Sequence, residues 1–238
     1  AGVDRFLVFN GALREIPNET NLDWFFSNLN QSQRQKVFAF KVPRYGEIWW
    51  CFPFGDATEC THAVIYNVRK NIWYDTMLPE GGRSAGVFAK VYNKPFMTGV
   101  LNDGGYQLWQ HETGVDAVDG VNSEPVRAFF QTNEVSLITG QEHPENSSLR
   151  ITRVEPDFVQ SGSLRMVVKS RANAKATEIS SEVLNIPEVP SNAYEQMVGV
   201  KITGRLLSLY FESNTAGGFF QMGKSLMHLE GSDGREIQ

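Results

Sequence analysis

The run Glu47-Ile48-Trp49-Trp50-Cys51-Phe52-Pro53-Phe54 decides the fold, together with the residues that continue it: Gly55-Asp56-Ala57-Thr58-Glu59-Cys60, Thr61-His62-Ala63-Val64-Ile65-Tyr66-Asn67-Val68, Arg69-Lys70-Asn71 and Ile72-Trp73-Tyr74-Asp75. These are three strand-like runs joined by two polar turns. In the first run, period-2 alternation puts Ile48, Trp50, Phe52 and Phe54 on one face. Trp49 and Cys51 make the other face apolar too. A strand apolar on both faces belongs inside layered β structure rather than on a wet surface. The second run places Val64, Tyr66 and Val68 on one side, Ala63 and Ile65 on the other. The 67–71 connection is short and polar, and Asn71 tolerates the left-handed backbone that a tight hairpin often needs. Three successive antiparallel strands ending in Trp-Tyr-Asp have the form of one β-propeller blade.

Working outward, Phe6-Leu7-Val8-Phe9, Asn10-Gly11 and the 12–16 run predict a hairpin with a two-residue type I′ turn. A short helix is expected near 21–33, with Thr20 or Asn21 as its cap and Trp24, Phe25 and Phe26 as an apolar plug. Val37, Phe38 and Phe40 lead into a strand, and Pro43-Arg44-Tyr45-Gly46 turns the chain into the central stretch. After a loop through 79–83, a second meander is read at 86–92, 95–101 and 106–110, with its turn at 102–105. It ends near Trp109 and loosely repeats the first. A Gly-, Asp- and Val-rich connector at 113–123 marks a boundary, giving domains 1–115 and 116–238. The second half predicts strands at 125–130, 135–139, 149–154, 164–169, 196–203, 206–212 and 219–229, a number and spacing suited to a β-sandwich. The polar 170–192 segment, with Pro187 and Pro190, is expected to be a long arm. The fold class is therefore all-β, with partial β-propeller meanders followed by a β-sandwich-like domain.

Several of these pieces also carry a resemblance. Glu47-Ile48-Trp49-Trp50, Phe52-Pro53, Glu59-Cys60, Tyr66-Asn67 and Asn71-Ile72-Trp73 come first. Pro156-Asp157-Phe158, Gly204-Arg205 before alternating Leu207, Leu209 and Phe211, then Glu212-Ser213-Asn214, Gly217-Gly218, Met222-Gly223-Lys224 and Asp233-Gly234-Arg235 come after them. In this order they resemble propeller-type tail, nozzle and head-to-tail closure proteins of short-tailed bacteriophages. The likeness covers most of the chain. The 170–192 segment has no counterpart in it, and the blades expected upstream are absent. With Phe6 already in a strand pattern and no initiator Met, the chain is expected to be a piece of a longer protein.

The resemblance implies a non-enzymatic virion protein of the tail or neck, made in the host cytoplasm. Its partners would be copies of itself in a ring, other tail or connector proteins, and genomic DNA passing through the channel without specific binding.

Composition fits this expectation. Hydrophobic residues make up 41% and charged residues 21% of the 238, so a packed core is expected rather than disorder. The net charge of -5 gives no basic nucleic-acid footprint. An acidic wall repels DNA and lets it slide. No apolar run is long enough for a membrane span, and there is no signal-peptide pattern. The two cysteines, Cys51 and Cys60, flank one turn and could face each other across a hairpin; a disulfide is the lesser reading and buried thiols the expected one.

No residue set carries a firm chemical signature, so no catalytic, metal or cofactor-binding residue is assigned. Gly223-Lys224-Ser225 lacks the flanks of a nucleophile elbow. The Gly-Gly pairs at 81, 104 and 217 lack phosphate-loop register. His62, His111, His143 and His228 stand far apart, and His62 with Cys60 supplies only two zinc ligands from one segment. Glu47, Asp56, Glu59, Asp75, Asp103 and Glu112 are the acids that a glycosidase propeller would need in pairs. That gives the competing reading: a carbohydrate-binding or glycoside-hydrolase propeller, or a host-receptor-binding tail protein. Trp49, Trp50, Trp73, Tyr74 and Trp109 would be its stacking platforms, but blade packing explains them more simply, so Trp49, Trp50, Trp73 and Trp109 are expected in the core. The three Asn-x-Ser/Thr matches, at Asn18, Asn30 and Asn146, are read as chance without a secretory signal. Arg205 and Glu212, in one predicted strand, are the candidates for an ion pair or subunit interface.

Overall fold

The computed structural model describes residues 4–18, 22–119, 122–136, 148–188 and 197–232. The chain divides into two compact units, Ala1–Gly114 and Val115–Gln238. The described residues are all-β apart from one short α-helix and one 3-10 helix. None of their helices is long and apolar enough to cross a membrane.

The first unit opens with a hairpin, β1 (Leu7–Phe9) and β2 (Leu13–Glu15). Helix α1 (Leu22–Asn28) and a 3-10 helix (Gln31–Lys36) come next. Asn30 caps the latter by accepting from the Ser32 amide at 3.1 Å. The predicted caps Thr20 and Asn21 lie outside the described residues. The strands β3 (Phe38–Val42), β4 (Glu47–Phe52), β5 (His62–Asn67) and β6 (Ile72–Met77) then form an antiparallel sheet in sequence order. A second antiparallel meander contains β7 (Gly82–Ala89), β8 (Lys94–Val100) and β9 (Tyr106–Gln110).

The central strand behaves as its pattern dictates. Trp49, Trp50, Cys51 and Phe52 are all buried. One face of the sheet, with Trp50, Phe52 and Val64, packs on Phe6, Ile16 and Phe25. The other, with Trp49, Cys51, Ala63 and Ile65, packs on Met97 of the second meander. Close approach of the two sheets depends on Gly86. A Cβ there would lie 2.9 Å from Phe38 Cε2 and 3.2 Å from Phe40 Cδ1.

Local chemistry explains the turns. Asn71 has φ 54°, the left-handed value expected of it. Asn67 Oδ1 closes the same turn by accepting from the amides of Arg69 at 3.1 Å and Lys70 at 3.0 Å. The first hairpin differs from expectation. Phe9 pairs with Leu13, so Asn10, Gly11 and Ala12 form a three-residue loop. Gly11 alone takes positive φ, at 95°. A three-residue loop needs one left-handed position where the type I′ turn needs two. The second meander also begins earlier than its pattern suggests, at Gly82, because the Arg83 backbone pairs with Cys60 in an isolated bridge.

The second unit contains β10 (Asp116–Asp119), β11 (Asn122–Pro125), β12 (Ala128–Gln131), β13 (Ser148–Glu155), β14 (Phe158–Ser161) and β15 (Leu164–Arg171). It continues with β16 (Ile179–Ser180), β17 (Leu184–Ile186), β18 (Val198–Gly204), β19 (Leu206–Ser213), β20 (Phe219–Met222) and β21 (Leu226–Ser232). One sheet runs β12-β19-β15-β16, with β17 also on β15. Another runs β18-β13-β21, and two pairs, β10-β11 and β14-β20, stand apart. Leu164, Met166, Val168, Leu207, Leu209 and Phe211 of the first sheet share one core with Leu149, Ile151, Val154, Val200 and Ile202 of the second.

Three expectations change here. The 113–123 connector carries the β10-β11 hairpin. The 170–192 segment, within its described part, is tied to β15 by two short edge strands, and Ile186 is buried. The 219–229 run is broken at Gly223, and its halves join different sheets. A Cβ at Gly223 would come within 2.3 Å of Asp157 Oδ2, so the break falls at a position that has room for glycine alone. Of the predicted 135–139 strand, Val135 bridges Leu207; 137–139 lie outside the described residues.

Candidate functional site

The chemistry-bearing side chains of the first unit gather where β4, β6 and the end of β9 meet. Glu47 accepts from the Tyr74 hydroxyl and from Trp49 Nε1, the latter at 3.0 Å. Each donor takes a different carboxylate oxygen, so Glu47 is a held acceptor rather than a base facing a cleft. Burial, and then the bond to Glu47, push the Tyr74 phenol well above its usual range, so it stays a neutral donor. Glu112, at φ 59°, has an exposed surface, yet desolvation and then the Glu47 charge raise its carboxyl. Lys94 Nζ donates to its backbone carbonyl.

Beside this pair lies Arg83, only 1% exposed. Its guanidinium donates to the Gly81 carbonyl at 3.0 Å and the Pro79 carbonyl at 2.9 Å. The guanidinium carbon sits 3.5 Å from the Trp109 ring centre. Nε faces His111 Nε2 at 3.4 Å. Burial lowers the Arg83 pKa to about 10, leaving it charged at neutral pH. Burial first, and the Arg83 charge second, lower His111 to about 4. A neutral imidazole then offers Nε2 as an acceptor to Arg83. Nothing in the sequence marked Arg83. It sat in a predicted loop, and only the pairing across Cys60 carries it inward.

The other acids are spread along the first unit. Asp56, Asp75 and Asp103 are exposed. Glu59 is ion-paired to Lys36 and bonded to Ser84 Oγ at 3.2 Å. Glu47 and Glu112 are placed within electrostatic reach of one another. Trp49, Trp50 and Trp109 are buried, and Trp73 is half-buried with Nε1 donating to the Pro17 carbonyl at 2.7 Å. Trp50 and Trp73 stack at 5.6 Å, Trp49 faces the opposite side of the sheet, and Trp109 belongs to the other meander. They form no common platform.

Cys51 and Cys60 are free, buried thiols. Burial pushes Cys60 up to about 12 and Cys51 further, so neither is a thiolate near neutrality. His62 stacks on Phe54 at 4.2 Å, and His228 meets Glu155 at 2.8 Å. His143 lies outside the described residues. Among the described residues, no group of three or more His, Cys, Asp or Glu is arranged to hold a metal ion.

In the second unit, Glu212 is buried and ion-paired to Arg127 and to Arg165, the latter at 3.2 Å. Arg127 also donates to the Tyr210 hydroxyl at 2.7 Å. The pair expected with Arg205 does not form along the strand. The seven steps from 205 to 212 span roughly 23 Å of extended chain. Register supplies the partners instead, because β15 sets Arg165 directly opposite Glu212. Two of the motif pieces also meet here. The Gly223 amide donates to the Asp157 carbonyl at 2.7 Å, and Phe158 pairs with Met222.

Several large apolar side chains are open to solvent. In the first hairpin Leu7, Val8, Phe9 and Leu13 are all exposed. In the second meander Met97, Gly86 and Trp109 share a row facing inward. The neighbouring rows bring Val87 beside Phe96, and Ala85, Thr98 and Leu108 together, on the opposite face. Val87, Leu108, Tyr106 and Tyr92 are exposed there. No protein-family model matches the chain, and no curated protein sequence is significantly similar to it.

Proposed function

We propose that this chain is a non-enzymatic structural protein of a bacteriophage virion, a tail or neck component that assembles with copies of itself into a ring around the DNA channel. In this reading the two meanders of the first unit are blades of an incomplete propeller, and the facing sheets of the second unit are a β-sandwich. The identity rests on the ordered motifs that resemble nozzle and closure proteins. The observation that carries a structural role is the contrast between the two kinds of surface. Glu47, Arg83 and Glu212 are engaged within the fold, whereas apolar side chains of the hairpin and the second meander stand in water. Large apolar side chains gathered on a surface favour a partner.

A ring wall needs rigidity and a lumen that does not grip DNA. A net charge of -5 supplies repulsion rather than adhesion. The test is light scattering of the purified protein, paired with electron microscopy of the same sample and of the sample mixed with phage connectors. Rings, or decoration of connectors, are the expected result; a monomer that never assembles overturns the reading. The acid pair Glu47 and Glu112 favours the carbohydrate alternative. A glycan screen decides it: binding that is lost in E47Q and E112Q would replace the structural reading, and no binding is expected.

A further inference from the structure

Three β-turns close the same end of the first unit. The first, 43–46, joins β3 to β4, and the second, 68–71, joins β5 to β6. They are braced together. The Val68 amide donates to the Gly46 carbonyl at 2.8 Å, and the Arg69 guanidinium donates to the carbonyls of Arg44 at 3.1 Å and Pro43 at 2.8 Å. The third turn, 90–93, joins β7 to β8. β7 starts at its bridge to Cys60, whose thiol reaches the Lys36 carbonyl just before β3. It packs on Phe38 and Phe40 at Gly86, so it runs alongside β3 and its turn falls beside the other two. Lys94, next after that turn, donates to the Glu112 carbonyl, and the Glu112 carboxyl feels the charges of Glu47, Lys94 and Arg44.

The chemistry of the three turns is uniform. Pro43-Arg44-Tyr45-Gly46, Val68-Arg69-Lys70-Asn71 and Lys90-Val91-Tyr92-Asn93 contain cations and no acid. The nearby acids are Glu112 and Glu47, and Glu47 is already held by Tyr74 and Trp49. Turns at the opposite end of the same strands carry acids instead: Asp56 and Glu59 before β5, Glu80 before β7, and Asp103 between β8 and β9. Charge is therefore sorted along the strand axis. Among the cations stand exposed apolar side chains, Val68 at 53%, Tyr92 at 68% and Val91 at 91%. Val91 lies in a hairpin turn with Lys90 before it and Lys94 after it, so it projects from a convex, cationic end.

We propose that this end of the first unit docks on the surface of an anionic lipid bilayer, with Val91 and Tyr92 entering the headgroup boundary. Charge complementarity selects an anionic occupant: Arg44, Lys70, Lys90 and Lys94 face the negative potential of such a surface from three adjacent turns. The apolar apex selects lipid among anions. A nucleic-acid backbone would satisfy the cations but offer Val91 only hydrated phosphate. The acyl boundary takes in Val91 and the Tyr92 ring, while the tyrosine hydroxyl and the lysine ammoniums stay among the headgroups. Shape agrees, since three neighbouring turn apices meet a plane more readily than a cleft. The contact is separate from the self-contacts of a ring and does not depend on them.

The experiment is co-sedimentation of the full chain with vesicles of phosphatidylcholine alone, and of phosphatidylcholine with about one quarter phosphatidylglycerol. Binding to the anionic vesicles alone, weakening as salt is raised, is the expected result. Lys70→Gln and Lys90→Gln are each expected to weaken it about fivefold, and Val91→Ser at least about threefold. Lys224→Gln, at an exposed position of the second unit, is expected to leave it unchanged. All four positions are exposed, and circular dichroism checks that each variant folds like the parent. A Val91→Cys chain carrying a polarity-sensitive dye is expected to brighten on anionic vesicles, the buried Cys51 and Cys60 being spared from labelling. No binding to the anionic vesicles overturns the proposal, as does binding that Val91→Ser leaves intact or a dye that stays in water. A duplex oligonucleotide that binds the parent more tightly than the vesicles do, and is lost in the same lysine variants, would put nucleic acid there instead. Each of these failures leaves the ring reading to its own test.

Discussion

The guanidinium carbon of Arg83 lies 3.5 Å from the centre of the Trp109 ring, in a position sealed from water. Stacking, two backbone carbonyls and a neutral imidazole together hold a buried cation against its desolvation cost. Replacing it tests how much of the first unit depends on that clamp. R83A is expected to cost on the order of 3 kcal/mol, since the Pro79 and Gly81 carbonyls lose their donors and Trp109 loses its cover. R83K is expected to recover little, because an ammonium cannot stack as a plane while reaching both carbonyls. Urea denaturation at neutral pH measures both; full rescue by lysine would contradict the planar arrangement.

His111 makes that clamp sensitive to acid. Its folded pKa, about 4, is below the ordinary value of 6.5, so the unfolded chain takes up the proton first. The stability gained from neutral His111 is fully present above pH 6.5, falls as pH drops toward 4, and flattens below that. The total is at most about 3 kcal/mol. His62 is shifted the same way by burial and adds to the slope. Urea midpoints across this window should fall less steeply in H111Q, whose amide oxygen still accepts from Arg83. An unchanged slope would place the titration elsewhere.

Glu212 predicts an asymmetry. The carboxylate is buried, while the side chains of Arg127 and Arg165 are 56% and 48% exposed. Removing the acid by E212A frees two arginines that water can solvate, at a cost of about 1 kcal/mol. Removing both arginines strands a buried charge and is expected to cost about 3 kcal/mol. Thermal melts of the two variants, compared at one pH, check the order.

Phe6 anchors the β1-β2 hairpin and centres an aromatic cluster, with Phe25 at 5.2 Å, Trp50 at 4.9 Å and Trp73 at 4.8 Å. F6A is expected to lose about 3–5 kcal/mol and to release the hairpin, read as faster amide exchange at Val8 and Arg14. The outward-facing F9A should leave stability within about 0.5 kcal/mol of the parent.

The thiols give a further check. Cys51 and Cys60 are expected to resist an aromatic disulfide reagent at neutral pH until urea unfolds the chain. Rapid labelling of the folded protein would contradict their burial.

The all-β character, the meander built on 47–75 and the left-handed Asn71 were legible from residue types alone. Period-2 alternation and turn chemistry act over a few residues, and the Glu47–Phe52 strand needs burial on both faces whatever surrounds it. The roles of Arg83 and Glu212 were not legible. Arg83 turns inward because its backbone pairs with Cys60. Glu212 meets Arg127 and Arg165 because β19 lies between β12 and β15. The 219–229 run breaks at Gly223, packed against Asp157 far away in the chain, because its halves pair with different strands. Strand order and register are set by the summed packing of distant segments, and a one-residue slip would exchange every partner. Local pattern thus decided which residues become strands, and tertiary packing decided which side chains meet.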